Sequence, residues 1–117
     1  MAEFLTAYNI TAANEGTYDN HPRDTGGETV FGVARNSFPK WEGWELVERL
    51  AAESGVSDYT KRKGNKTFYA ALEGNIALRN MVKALYKSSF WDIFELDKID
   101  SQELANEIFD QAVNLGA

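Results

Sequence analysis

The sequence of 117 residues contains no cysteine, two prolines and one histidine. Without cysteine, disulfides, thiolate metal ligands and a cysteine nucleophile are all excluded. The single histidine, His21, precedes a proline and has no second ligand at metal-binding spacing, so neither a metal site nor Ser/His/Asp catalysis is predicted. We expect a protein that works without a metal and without a cofactor.

Long apolar runs and an excess of basic residues are also missing. No segment approaches the roughly eighteen consecutive apolar residues of a transmembrane helix, and the N-terminus has neither a basic flank nor an apolar run of signal length. We therefore expect synthesis in the cytoplasm without a signal peptide. The formal net charge of −6 argues against a nucleic-acid partner, because phosphate binding needs clustered Lys and Arg. The one basic cluster, at residues 61–66, is interpreted as a solvated loop.

Apolar residues recur at helical spacing over most of the chain, which predicts a single, mainly α domain over residues 1–117. Longer helices are predicted over 3–15, 44–55, 75–89 and 100–116, with a short one near 68–72. Residues 16–28 are rich in turn formers and are predicted as loop, and the alternation that follows predicts a small β-hairpin or irregular β segment between about Asp24 and Val33. Glu28 and Thr29 should then point to opposite faces.

Glu15 is the first candidate for chemistry. It shares one stripe of the first predicted helix with Phe4, Tyr8 and Ala12, so it should lie on the apolar side of that helix. Burial disfavours the charged form of a carboxyl group and raises its pKa, as a general acid requires. Asp24 follows in a turn-rich segment with different surroundings. Hydrolysis of a glycosidic bond needs such a pair, with one carboxyl group protonated and the other charged.

Two motifs resemble glycoside hydrolase family 108, which contains phage and bacterial N-acetylmuramidases and proteins described as secretion activators. The first is EGTY at Glu15–Tyr18, followed by PRDTGGETVFGV at 22–33, which looks like the N-terminal signature of the family. The second is FDQAVNLG at Phe109–Gly116, which is similar to the start of the family's peptidoglycan-binding region. Aromatic residues of that region precede it: Tyr86, Phe90 and Trp91. Thr17 stands where the family usually has a second glycine, and it is expected to shift the loop or change its φ.

The resemblance implies a lysozyme-like fold and an N-acetylmuramidase that cleaves the β-1,4 bond between N-acetylmuramic acid and N-acetylglucosamine in peptidoglycan. It implies Glu15 as the general acid. A further likeness to phage lysozymes adds Asp24 and Thr29, which would hold the water and the sugar. Asp24 is preferred as second carboxylate to Asp19, which follows Glu15 too closely, and to Glu28. The same motifs supply the predicted substrate-binding residues, which are Tyr18, Gly27 and Phe31.

Two other functions stay open at this point. One is a catalytically inactive peptidoglycan-binding or secretion-accessory module. The other is a lytic transglycosylase, which can act with a single Glu. Either function would keep peptidoglycan glycan strands as the partner, and a monomer is expected. Because the chain is expected to lack a signal peptide, a holin or secretion machinery would be needed for export, with action at the cell wall or in the periplasm after release.

The resemblance also divides the chain into regions. Residues 1–75 are predicted to form the catalytic region and 76–117 the start of the peptidoglycan-binding-like helical region. In the latter, Phe109 is expected to pack in the core, whereas Asp110 and Asn114 share a helix face and are assigned either a structural or a glycan-binding role. Family members usually continue through further helices, so the chain is either naturally short or a fragment.

Overall fold

A computed structural model describes residues 1–21 and 27–116, with His21 described by its backbone alone. Within these ranges it contains five α-helices and one three-stranded antiparallel sheet, which confirms the predicted mainly α fold with a small β segment. The helices are α1 (Phe4–Ala12), α2 (Gly43–Glu53), α3 (Lys66–Gly74), α4 (Ile76–Phe90) and α5 (Gln102–Gly116). The strands are β1 (Tyr18–His21), β2 (Gly27–Val30) and β3 (Val33–Ala34), in that order across the sheet.

The chain forms two compact units. The first, which we call the terminal unit, consists of Met1–Glu15 and Lys83–Ala117. It holds α1, the last eight residues of α4 and all of α5. The second, the central unit, is Gly16–Val82 and holds the sheet, α2, α3 and the start of α4.

Aromatic side chains build the core of the terminal unit. The ring of Phe4 meets those of Phe109 and Trp91 edge to face, with centroids 5.7 Å apart in both pairs. Tyr8 meets Tyr86 in the same way at 5.5 Å. Such pairs contribute about 0.5–1.5 kcal/mol beyond the apolar area that they bury. They hold α1 against α5 and the end of α4, so both ends of the chain share one core.

The sheet of the central unit is antiparallel, and a two-residue turn joins β2 to β3. Tyr18 pairs with Val30 across β1 and β2, and Val30 pairs with Val33 across β2 and β3. Both valines are fully buried. Tyr18 also packs its ring edge to face on Phe68 of α3, with centroids 5.2 Å apart. The buried face of the sheet is therefore covered by helix, as the alternation in the sequence requires.

The observed bounds of α4 agree with the capping and periodicity signals in the sequence, whereas those of α1 and β1 differ from the prediction. The predicted helix over 75–89 is observed as Ile76–Phe90, and the Asn75 side chain caps it by accepting the N–H of Leu78 at 2.9 Å. The first helix is shorter than predicted, because it ends at Ala12 and continues as a tight turn. Part of the predicted 16–28 loop is strand β1, because its residues pair with β2.

Candidate active site

Glu15 lies in a turn directly after α1. Its backbone N–H donates to the carbonyl oxygen of Ala12 at 3.1 Å, and that of Asn14 donates to Thr11 at 3.1 Å. The side chain is half-buried. Burial raises the pKa of the Glu15 carboxyl group, and the nearby charge of Asp110 raises it further. The pKa shift has the direction predicted from the sequence, although Glu15 lies beyond the helix and not within it.

Asp110 on α5 brings the second sequence motif beside the first. Its Oδ1 accepts the hydroxyl of Thr11 at 3.0 Å, and its Oδ2 accepts the amide of Asn114 at 3.2 Å. Phe109, the preceding residue, is fully buried in the aromatic core. The predicted apolar role of Phe109 is therefore confirmed. Asp110 and Asn114 form hydrogen bonds within the protein: Asp110 binds Thr11 and Asn114.

Tyr86 is a further electrostatic neighbour of Glu15 among the described residues of the terminal unit. Its side chain is buried, and its pKa is raised first by burial and then by the charge of Glu15, with a smaller contribution from Tyr8. The phenol therefore stays neutral at physiological pH. Glu15 has a neutral aromatic hydroxyl on one helix and a carboxylate on another as electrostatic neighbours.

In the central unit, β2 displays Glu28 and Thr29 on opposite faces, as predicted. Glu28 is buried, whereas Thr29 is half-buried and stands directly across from Asp19 of β1. Directly opposed residues share a sheet face, so Asp19 and Thr29 lie on the same side. Asp19 also forms an ion pair with Lys63, with 2.9 Å between Oδ1 and Nζ. A carboxylate that sequence reasoning set aside is therefore the direct neighbour of Thr29.

The predicted substrate-binding residue Tyr18 points into the central unit. Its side chain is 6% exposed, and its hydroxyl donates to Glu28 Oε2 at 2.6 Å. Burial and that hydrogen bond both raise the pKa of the Tyr18 hydroxyl. Its hydroxyl is thus engaged by the protein, and its role in substrate binding stays a prediction.

Two further predicted binding residues mark the ends of β2. Gly27 starts the strand with a φ of 62°, and a Cβ there would lie 3.4 Å from the side chain of Asn36. Phe31 follows the strand with a φ of 50°, and the guanidinium of Arg79 lies 5.3 Å from the centre of its ring. Both positions use left-handed backbone, which glycine adopts freely and phenylalanine does not.

The remaining predicted positions give two different outcomes. Asp24 lies outside the described residues, so its role as second carboxylate stays a prediction. Thr17 has no left-handed φ, and its hydroxyl donates to Glu73 Oε1 at 2.6 Å. The residue that replaces the usual family glycine is accommodated without the strain that a positive φ would impose.

An ion network around Arg62 was missed by sequence reasoning, which interpreted residues 61–66 as a solvated loop. Arg62 is 1% exposed and donates to Glu28 at 2.7 Å and to both carboxylate oxygens of Glu48. Arg35 donates to the same two glutamates at 2.8 and 2.7 Å. The hydropathy pattern of the sequence cannot reveal such a residue, because arginine is counted as polar whether its side chain is buried or solvated.

Other kinds of site find no support in the part of the chain that is described. No group of three His, Asp or Glu side chains there is close enough to hold a metal ion. None of the described helices combines the length and the apolar character that crossing a bilayer requires.

The sequence matches a known protein family. The family model described as Glycosyl hydrolase 108 matches residues 8–116, which is nearly the whole chain. No curated protein and no solved structure matches. The lysozyme-like arrangement therefore stays a prediction from the resemblance of the motifs.

Proposed function

Because the chain belongs to the glycosyl hydrolase 108 family, we propose that it is an N-acetylmuramidase in which Glu15 is the general acid. Family membership makes the protein a glycoside hydrolase and supports a function of the peptidoglycan-hydrolase type. The proposed bond is the β-1,4 linkage between N-acetylmuramic acid and N-acetylglucosamine. The proposed site of action is the cell wall or periplasm, reached after release from the cytoplasm by a holin or secretion machinery.

The placement of Glu15 is the observation that carries this proposal: it is half-buried in the turn after α1, in surroundings that raise the pKa of its carboxyl group. A general acid must be protonated at the pH of the reaction, and an ordinary exposed glutamate is not. Half-burial at the end of α1 and the charge of Asp110 both favour the protonated form. Glu15 also lies in the EGTY motif, so geometry and sequence indicate the same residue.

The proposed reaction transfers one proton from Glu15 to the glycosidic oxygen as the bond between that oxygen and C1 of N-acetylmuramic acid breaks. Water supplies a hydroxyl group to C1 and its remaining proton to a base. Asp24 is proposed as this base, which is the second carboxylate of the site, and Thr29 is proposed to hold the water. Gly27, Tyr18 and Phe31 are proposed to contact the glycan.

The test is Glu15→Gln, which keeps the shape of the side chain and removes the acidic proton. We expect release of soluble muropeptides from purified peptidoglycan to fall by about 10²- to 10⁴-fold, the usual contribution of general acid catalysis. Glu53→Gln, at an exposed position near the end of α2, is the matched control and should keep the wild-type rate. A Glu15→Gln variant that retains more than about a tenth of the wild-type rate would remove Glu15 from this role.

Mass spectrometry of the products separates the alternatives. Reducing N-acetylmuramic acid ends support the proposal, whereas anhydro-muramyl ends would show a lytic transglycosylase. Wild-type protein that sediments with peptidoglycan and releases nothing would show a binding or secretion-accessory module instead.

A further inference from the structure

Thr11 and Asp110 form a polar contact that joins the two ends of the chain. Thr11 is 1% exposed, so its hydroxyl needs a partner inside the protein, and Asp110 Oδ1 is that partner at 3.0 Å. The other oxygen of Asp110 accepts the amide of Asn114 at 3.2 Å. With both oxygens engaged, the carboxylate is held in one orientation.

The contact lies where it can control Glu15. Thr11 is four residues before Glu15, and its carbonyl oxygen accepts the N–H of Asn14 in the turn that leads to Glu15. Asp110 therefore holds the backbone segment from which the Glu15 side chain extends. The edge-to-face packing of Phe4 on Phe109 fixes α5 against α1 beside this contact.

We propose that Asp110 is a positioning residue for Glu15: anchored by Thr11 and Asn114, it fixes the end of α1 and keeps a second carboxylate beside the catalytic one. This inference rests on the proposed role of Glu15 as general acid. It differs from a purely structural role for Asp110, because it assigns a function to the charge as well as to the hydrogen bonds.

The charges around Glu15 give the sign of the effect. Among the described residues of the terminal unit, the titratable groups that interact with Glu15 are Asp110 on α5 and Tyr86 on α4, with Tyr8 of α1 beside Tyr86. Tyr86 stays neutral, so the charge that opposes ionisation of Glu15 is that of Asp110. Removing it should lower the pKa of Glu15. The protonated fraction, and with it the rate, would then fall at a lower pH than in the wild type.

The experiment has two readouts on the same variants. The first is titration of the Glu15 carboxyl carbon by NMR, which requires no activity. The second is the dependence of kcat/KM on pH with purified peptidoglycan. In Asp110→Asn, whose amide oxygen can still accept the Thr11 hydroxyl, we expect the Glu15 titration and the alkaline limb of the rate profile to move together to lower pH.

Two matched controls separate charge from anchoring. Glu107→Gln removes one exposed carboxylate from the same helix and should leave both readouts at their wild-type positions. Thr11→Val removes the hydroxyl that holds Asp110 and should lower kcat with little change in KM. Thr11→Ser keeps the donor and should restore the wild-type kcat.

The results distinguish failure of the positioning role of Asp110 from failure of the proposed function. An unchanged Glu15 titration in Asp110→Asn would overturn the inference, and so would equal shifts in Asp110→Asn and Glu107→Gln. If the titration moves as expected but wild-type protein releases no muropeptides at any pH, the proposed function fails while the control of Glu15 by Asp110 stands.

Discussion

Phe31 has a backbone conformation that is unusual for its residue type. It forms the tip of the β2–β3 hairpin with Gly32, and both residues have positive φ, 50° and 83°. The left-handed conformation costs a non-glycine residue about 1–2 kcal/mol. The cation–π contact with Arg79 contributes about 0.5–1 kcal/mol at a partly exposed site. A residue held in a strained backbone conformation is a candidate for a functional role, so we expect the Phe31 ring to serve the proposed contact with glycan.

The prediction for this residue uses Phe31→Asn. Asparagine tolerates the left-handed region and favours two-residue hairpin turns, so the free energy of unfolding should stay level or rise by up to about 1 kcal/mol. The KM for peptidoglycan should increase. Urea unfolding and muropeptide release measure the two quantities. Phe94→Asn, which removes an exposed ring elsewhere, should leave KM unchanged. Lower stability with an unchanged KM would mean that Phe31 is retained for packing.

At the scale of elements, Arg62 joins three segments of the central unit. Its guanidinium binds Glu28 of β2 and Glu48 of α2, and it also donates to the carbonyl oxygens of Val56 and Ser57 in the loop after α2. Moving a charge from water into the protein interior costs free energy, and only well-placed partners of opposite charge and hydrogen bonds offset that cost. The hairpin is thus held to the helix by a network in which Arg62 and Arg35 both donate to Glu28 and Glu48.

Arg62→Ala should therefore lower the free energy of unfolding by about 3–5 kcal/mol, because it removes the buried counter-charge of Glu28 and leaves the partly exposed Arg35 to pair with both glutamates. The neighbouring Lys63 offers a matched comparison, since its ion pair with Asp19 is exposed. Lys63→Ala should cost less than about 1 kcal/mol. Chemical denaturation of both variants under one set of conditions checks the difference. Similar losses in the two variants would show that burial of the Arg62 network has no special weight.

The whole molecule carries a formal net charge of −6, so moderate acidification relieves general repulsion among its carboxylates. Glu48 acts in the opposite direction. The hydrogen bond from Arg62, supported by that from Arg35, lowers the pKa of Glu48 from 4.5 to about 2. A carboxyl group with a lowered pKa in the folded state stabilises the fold above its unfolded pKa. That contribution is lost as the pH falls from 4.5 through about 2.

We expect Glu48→Gln to be less stable than the wild type at neutral pH. The gap should close as the pH falls from about 4.5 towards 2. Unfolding by urea at a series of pH values measures this convergence. Glu45→Gln, an exposed change on the same helix, should keep the wild-type pH dependence. A constant gap between Glu48→Gln and the wild type at every pH would exclude titration of Glu48 as its cause.

The sequence by itself determined the features that depend on near neighbours in the chain. Helical spacing and the Asn75 cap predicted α4 to within a residue at each end, because periodicity and capping involve residues three or four apart. Alternation placed Glu28 and Thr29 on opposite faces for the same local reason. The EGTY and FDQAVNLG motifs indicated the family, and Glu15 was singled out together with the direction of its pKa shift.

Only the tertiary structure decided which residues from distant parts of the sequence come into contact. Thr11 and Asp110 are 99 residues apart, and Glu28 and Arg62 are 34 apart. Neither pair has a local signal, because a hydrogen bond between distant segments forms only when packing brings both partners together. The aromatic core of the terminal unit places Asp110 at the end of α1, and the burial of the sheet turns Tyr18 and Arg62 inward. Charge in the sequence is a property of single residues, whereas a shifted pKa belongs to neighbours that folding selects.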